Sequence, residues 1–274
     1  MQKNVLVIGA SSGIGYDLVV SLLNTGHNVY CGARRLERLT PLKELGAKVF
    51  EVDVRNGQTI NHIVNEMHDS LGSIDIVYSN AGYPIAGPIE AESIENVHAQ
   101  FDTNVYGPAR IVQAVLPHMR KQGYGRIVFT TSIAARTSTA MNAWYSASKH
   151  ALNGMVKSLS QEVREFNIEI SMVEPGCVQT ELPDIQLTDM LSKGTVISDY
   201  QQSTTKAHHF LKNAYDNGSN TLSTVKTLIK AGFSSNPKLI YQSTIDAKLM
   251  AWGQKIIGEG KLGKLFSFII NKMT

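Results

Sequence analysis

Six short apolar runs constrain what this chain can fold into more than anything else in it. Residues 4–8, 27–32, 48–52, 75–79, 126–131 and 168–173 read as strands, most of them rich in Val and Ile. Stretches of helical period lie between them, such as 14–24, where Leu18, Val19, Leu22 and Leu23 share one side. This alternation demands parallel neighbours, because each strand returns through a crossover helix and is buried on both faces. The expected fold class is α/β: a doubly wound parallel β-sheet flanked by helices, in a single domain over 1–274, with a last short strand at 239–241. A chain of 274 residues that is 43% hydrophobic can fill one such core. Residues 181–220 break the rhythm, being polar and rich in Ser, Thr and Asn, and too long for an ordinary connection. They are read as a helical insertion or lid over a substrate site, and 242–274 as a C-terminal tail.

Composition excludes several classes. The net charge is +3 and the lysines and arginines are scattered, so no nucleic-acid surface is marked. Cys31 and Cys177 are the only cysteines and form no CxxC, so neither a disulfide framework nor a structural zinc site is expected, and a reducing, cytoplasmic setting fits. The N-terminus lacks the long apolar region of a signal peptide, and no apolar run is long enough to span a bilayer.

The first strand ends in "GASSGIG", with Gly9, Gly13 and Gly15 at the strand-to-helix junction. Glycines there permit a tight turn, and the helix N-terminus presents N–H groups and partial positive charge to a phosphate. The spacing is not GxGxxG, and an ordinary β-to-α turn would look the same alone; the following amphipathic helix and second strand favour a dinucleotide site. About 20 residues beyond the turn, where an acid would bind the ribose hydroxyls of NAD, the chain has Arg34 and Arg35. Guanidinium groups suit a 2′-phosphate, so NADP(H) is the expected cofactor, against the plainer reading of two solvated charges opening a helix.

Together with that turn, Asp53, "NAG" at 80–82, "TNVYG" around Asn104, "TTSIAA" around Ser132, "YSASK" from Tyr145 to Lys149 and "EPGCVQT" at 174–180 resemble the short-chain dehydrogenase/reductase family in order and spacing. Ile8 and Ser79 depart from residues the family often has there. The resemblance implies a Rossmann-type fold and a pyrophosphate loop lined by Gly9, Ser11, Ser12, Gly13, Ile14 and Gly15. It implies adenine contacts at Asp53 and Val54, a ribose border at Asn80 and Gly82, and nicotinamide contacts at Pro175, Gly176, Val178 and Thr180. It also implies a homodimer or homotetramer packed through two long helices.

Tyr145 and Lys149 stand four residues apart, on one helix face. A phenol is a poor acid or base at neutral pH, and shifting it by about three units takes about 4 kcal/mol. A cation about 4 Å away at an effective dielectric near 20 supplies a similar amount, so Lys149 is expected to favour the Tyr145 phenolate. Lys149 could also hold the nicotinamide ribose, and Ser132 would donate to the substrate oxygen. By resemblance Asn104 completes a catalytic tetrad. No metal is needed.

The expected activity is hydride transfer between NADP(H) and a lipophilic ketone or secondary alcohol. Tyr83, Ile85, Ala86, Ile133, Ala134, Met141 and Trp144, with Leu182, Ile185, Leu187 and Met190 on the lid, are read as an apolar pocket. Reduction of a 3-oxoacyl thioester is the alternative within enzymology, and a non-catalytic NADP(H) sensor the alternative outside it. Cys177 is read as a packing residue and His208–His209 as surface. The tail mixes lysines with large apolar residues and could lie on a membrane surface or pack on protein; its glycines favour packing.

Overall fold

The computed structural model describes residues 1–272; positions 273 and 274 of the expected tail lie outside the described residues. The first half alternates β1 (Asn4–Ile8), α1 (Gly13–Asn24), β2 (Asn28–Ala33), α2 (Thr40–Glu44), β3 (Lys48–Glu51), α3 (Gly57–Leu71) and β4 (Ile76–Ser79). Then come α4 (Ile94–Phe101), α5 (Gly107–Gln122), β5 (Gly125–Thr130), α6 (Ala143–Glu162) and β6 (Ile168–Glu174). The remainder is α7 (Leu182–Gly194), α8 (Gln201–Asp216), α9 (Thr221–Phe233), β7 (Ile240–Gln242), α10 (Ile245–Ile257) and α11 (Glu259–Asn271).

Seven parallel strands form one sheet in the order β3-β2-β1-β4-β5-β6-β7. Every strand expected from the apolar runs is present, with ends shifted by a residue or so. Alternate residues of β1 show why its sequence is unbrokenly apolar. Leu6 and Ile8 join the core beneath α3, α5 and α6, while Val5 and Val7 join the core beneath α1 and α9, and all four are fully buried. The chain reverses its direction of winding between β1 and β4, whose carboxyl ends pair at Ile8 and Ser79. Such a switch point leaves a crevice beyond the strand ends, where α/β sheets bind ligands.

Residues 181–220 hold two helices, α7 and α8, which pack on each other around Leu187, Met190, Ala207 and Leu211. In the tail, Gly258 at φ 79° breaks the chain between α10 and α11. Leu262, Phe266 and Ile270 of α11 are buried, with the Phe266 ring edge-on to Phe210 of α8.

Candidate active site

The crevice runs from the β1–α1 turn across the ends of β4 and β5 to α6 and the segment after β6. Gly9, Ser11, Ser12, Gly13, Ile14, Arg34, Arg35, Asp53, Val54, Asn80 and Gly82 line one end of it. Ser132, Tyr145, Lys149, Pro175, Gly176, Val178 and Thr180 line the other. Two expected residues do not face the cleft. Gly15 lies inside the fold, where an added Cβ would stand 2.1 Å from the Gly9 carbonyl oxygen; it is a glycine so that α1 can approach β1. Asn104 is wholly buried behind the cleft wall.

The turn is shaped for an anionic group. Gly9 has φ 96°, and a Cβ there would meet the Ala81 backbone nitrogen at 2.5 Å, so only glycine fits. Asn80 clamps the turn from β4 by donating its Nδ2 to the Gly9 carbonyl at 2.9 Å. Ser12 begins α1 in extended conformation, and its side chain caps no helix N–H. The first N–H groups of α1 are therefore left for a ligand. Deeper in, the Thr130 hydroxyl is buried in the cleft with no partner among the described residues. An uncapped helix start at one end and an unpaired hydroxyl at the other suit a dinucleotide lying along the crevice.

At the end near β2 and β3, Asp53 is taken up by Arg55, whose guanidinium bonds both carboxylate oxygens and holds the carboxyl below its usual range. Arg35 donates to the Ser11 hydroxyl at 3.3 Å. It also stands 3.7 Å from Glu181, which Arg38 grips through both carboxylate oxygens at 2.5 and 2.7 Å. The sequence did not single out Glu181, Arg38 or Arg55, because only the fold brings the β2 end to the start of α7.

Tyr145 and Lys149 sit near the start of α6. The loop carrying Ser132 is fastened to the segment after β6 through Thr131 N–H to Val173 O and Ile133 N–H to Pro175 O, both at 2.8 Å. The Ser132 hydroxyl accepts from the Ala134 N–H at 3.1 Å and faces the cleft with Tyr145. Tyr145 keeps some surface toward the cleft. Burial raises the pKa of its phenol, and the nearby Ser132 hydroxyl opposes the rise.

Lys149 has a partner that the sequence did not suggest. Its ammonium lies 5.7 Å from the Tyr145 ring centroid and donates to the Thr130 carbonyl at 3.3 Å. Burial pushes its pKa down to about 8. The protein's own field therefore leaves the phenol raised, with Ser132 as its near partner.

Asn104 reaches its place through a π-helical turn, Asp102–Tyr106, between α4 and α5. The extra residue in that turn swings its side chain out of the helix period. Asn104 then accepts from the Tyr83 N–H at 3.0 Å and donates to the Tyr83 carbonyl at 2.9 Å and the Ser148 hydroxyl at 3.1 Å. Ser148 in turn donates to the Tyr145 carbonyl, which ties Asn104 to the α6 backbone.

The apolar pocket is narrower than expected. Tyr83, Leu182 and Ile185 line the cleft, whereas Leu187 and Met190 pack with Ala86 in the core between α7 and α8. Ile85, Ile133 and Ala134 are buried, and Met141 and Trp144 stand outside the lining. Tyr215 of α8 lines the cleft and was not anticipated. Its hydroxyl donates to Gln186 at 2.7 Å, and Gln186 donates to Asn142 at 3.0 Å, joining α8 through α7 to the residue before α6. Burial, with Cys177 and Tyr145 nearby, holds its pKa well above the ordinary value.

Cys177 is not activated: burial, with Asp246 beside it, pushes the thiol up to about 12. His208 and His209 lie with ring centroids 5.9 Å apart on α8. Behind the turn at Pro175–Cys177, Thr244 accepts from the Gly176 N–H at 3.0 Å and Asp246 from the Cys177 N–H at 2.7 Å. A Cβ on Gly176 would stand 2.0 Å from the Asp246 carboxylate, so the first turn of α10 backs this wall directly.

Comparison with known proteins agrees with the geometry. The short chain dehydrogenase family profile matches residues 3–189. A probable short-chain type dehydrogenase/reductase of Helicobacter pylori is 27% identical over 97% of both chains. The 3-ketodihydrosphingosine reductase of Bacteroides thetaiotaomicron is 34% identical over 67% of each. A short-chain dehydrogenase from Streptomyces avermitilis superposes with a TM-score of 0.78 at 25% identity, covering 96% of both chains. Solved structures of this fold include complexes with NADP and with NAD. A crevice beyond the strand ends, a tyrosine, a serine and a lysine that line it, and a family profile across two-thirds of the sequence lead to one assignment: this chain is an oxidoreductase of the short-chain dehydrogenase/reductase family.

Proposed function

We propose that the protein transfers hydride between NADP(H) and a lipophilic ketone or secondary alcohol, with Tyr145 as the acid and base. The observation that carries this reading is that Ser132, Tyr145 and Lys149 line one cleft, with Tyr145 one helical turn from buried Lys149. A dinucleotide held along the crevice would supply the hydride in reduction and accept it in oxidation. Ser132 and Tyr145 hold the substrate oxygen from two sides, and Tyr145 gives it a proton in reduction or removes one in oxidation. Lys149, cationic below its pKa of about 8, keeps a positive charge beneath the phenol ring, holds the ribose, and favours the phenolate once its proton has left. Asn104 keeps the Tyr83 backbone and α6 in register and completes the tetrad.

The cofactor assignment rests on Arg34 and Arg35 at the cleft end and on Ser11 beside Arg35. We read α7 and α8 as the substrate lid. Leu182 and Ile185 are apolar at its mouth, in keeping with the lipid-type substrate in the name of the Bacteroides relative. Acids outnumber lysines in the lid, with Glu181, Asp184, Asp189, Asp199 and Asp216 against Lys193, Lys206 and Lys212. Two of those lysines are paired, Lys193 with Glu92 and Asp189 and Lys212 with Asp216, so the lid does not suit an acidic carrier protein. This favours a free lipophilic carbonyl over a carrier-bound thioester.

Tyr145→Phe tests the proposal. Turnover, followed by NADPH absorbance with lipophilic ketones, is expected to fall by on the order of 1000-fold while NADPH binding persists. Retained turnover would remove Tyr145 from the mechanism, and a preference for NADH in the parent protein would remove the arginine assignment.

A further inference from the structure

Helix α10 is turned inside out. Ile245, Leu249, Trp252 and Ile256 recur at the spacing of one helix face, and all four point to solvent, 73, 62, 65 and 59% exposed. A surface helix normally buries such a stripe. The opposite face carries Ala247, fully buried, with Ala251 and Gln254. Hydrogen bonds fix this orientation. Thr244 and Asp246 hold the Gly176 and Cys177 N–H groups, and Gln254 donates to the Arg136 carbonyl at 2.8 Å. The helix cannot roll its apolar stripe inward without breaking all three.

Helix α11 adds to the same exposed surface. It buries Leu262, Phe266 and Ile270, while Leu265, Phe268 and Ile269 face outward. The two helices thus hold a disproportionate share of the exposed large apolar side chains among the described residues, concentrated where a soluble monomer rarely keeps them.

Charge decides what covers this surface. Lys248, Lys255, Lys261 and Lys264 are exposed and form no ion pair among the described residues, and Lys272 lies over the Phe268 ring at 4.5 Å. The acids of the hairpin are engaged elsewhere, Asp246 by the Cys177 N–H and Glu259 3.9 Å from His150. A second copy docked face to face would bring two sets of lysines together. An acidic lipid surface would accept the lysines among its headgroups and the Trp, Leu and Phe side chains below them. Among the described residues no helix is long and apolar enough to cross a membrane, so contact would be in the plane of the surface.

We propose that the α10–α11 hairpin is a docking surface for a negatively charged lipid bilayer, lying flat in its interface. Burial of Trp252 in the bilayer does not depend on the reaction at the cleft, so this inference stands apart from the proposed activity.

The test uses the whole chain carrying Trp144→Phe, so that Trp252 alone reports. Vesicles containing phosphatidylglycerol should carry the protein into the pellet and shift Trp252 emission to the blue. Pure phosphatidylcholine should bind it far less, and about 1 M salt should release much of it. Lys248→Ala and Lys255→Ala should each weaken binding about fivefold. Leu249→Ser with Trp252→Ser should abolish sedimentation with vesicles in a protein that melts normally and still binds NADPH. Absence of vesicle binding overturns the proposal. So does equal binding by the lysine variants, or a dimer in sedimentation equilibrium that Leu249→Ser with Trp252→Ser dissociates while the parent ignores vesicles.

Discussion

Helix α1 buries Leu18, Val19 and Leu22 against the sheet, whereas α10 sends a stripe of equal apolarity outward. Both helices are amphipathic; they differ in what their polar residues do. In α1 the polar residues bond within the helix or to α9, where Thr221 donates to Asp17, and none of them competes with the apolar side for the sheet. In α10 the polar face is claimed by backbone N–H groups of a neighbouring segment, and leaving those donors unpaired would cost more than an exposed leucine. Helix α6 is a third case, since it buries the Lys149 cation beside its apolar residues. An amphipathic pattern predicts a helix, then, but bonding partners decide which face goes in.

Lys149→Met sharpens that contrast most. Turnover should drop by on the order of 100-fold, while Tm at pH 7 should rise by on the order of 5 °C, because a buried cation is replaced by a side chain that suits the core. The sign follows from the pKa, which is 10.5 for the ordinary group and about 8 in the fold. Between those values the unfolded chain binds the extra proton, so the parent gains stability as pH rises through the window. The advantage of the variant should be full below about pH 8 and fade toward 10.5. Equal Tm gains at pH 7 and in that upper range would contradict a charge-burial origin.

Removing the anchors of α10 would break the comparison itself. Thr244→Ala combined with Asp246→Ala leaves the Gly176 and Cys177 N–H groups without acceptors, and chemical denaturation should show a loss of about 3 kcal/mol. Trp252 emission should move to the blue in buffer alone as the freed helix rolls its stripe inward. Ser79→Ala is a smaller test in the sheet, where the hydroxyl is buried at the end of β4 without a partner among the described residues. Its removal should leave stability unchanged or raise it by about 1 kcal/mol. Glu181→Gln probes the exposed side. Freed of the carboxylate, Arg35 should bind NADPH about threefold more tightly, with the NADH constant unmoved.

The sheet was legible because each strand carries its own apolar run, and the glycine turn because its residues are contiguous. Arg34, Arg35, Ser132, Tyr145 and Lys149 also come from short motifs, and all five line the cleft. What local pattern could not supply was direction and distance. The π-turn that aims Asn104 leaves no mark in hydrophobic period, and the Thr130 carbonyl that Lys149 bonds lies 19 positions away on another element. Tyr215 stands in a polar stretch and meets Gln186 only because α7 and α8 fold back on each other. Glu181 and Arg38 are 143 positions apart, beyond any spacing rule. The rotation of α10 depends likewise on acceptors some 70 residues from their donors.

The Thr244 and Asp246 acceptors make the end of the polypeptide an inner strut as well as an outer skin. A cut after Gln242 would spare all seven strands yet leave Pro175–Cys177 without its backing. Shortened forms should therefore fold and still fail to close around a nucleotide. The outward side chains of the same helix carry no such duty, so their chemistry is free to be tuned to whatever surface the enzyme meets.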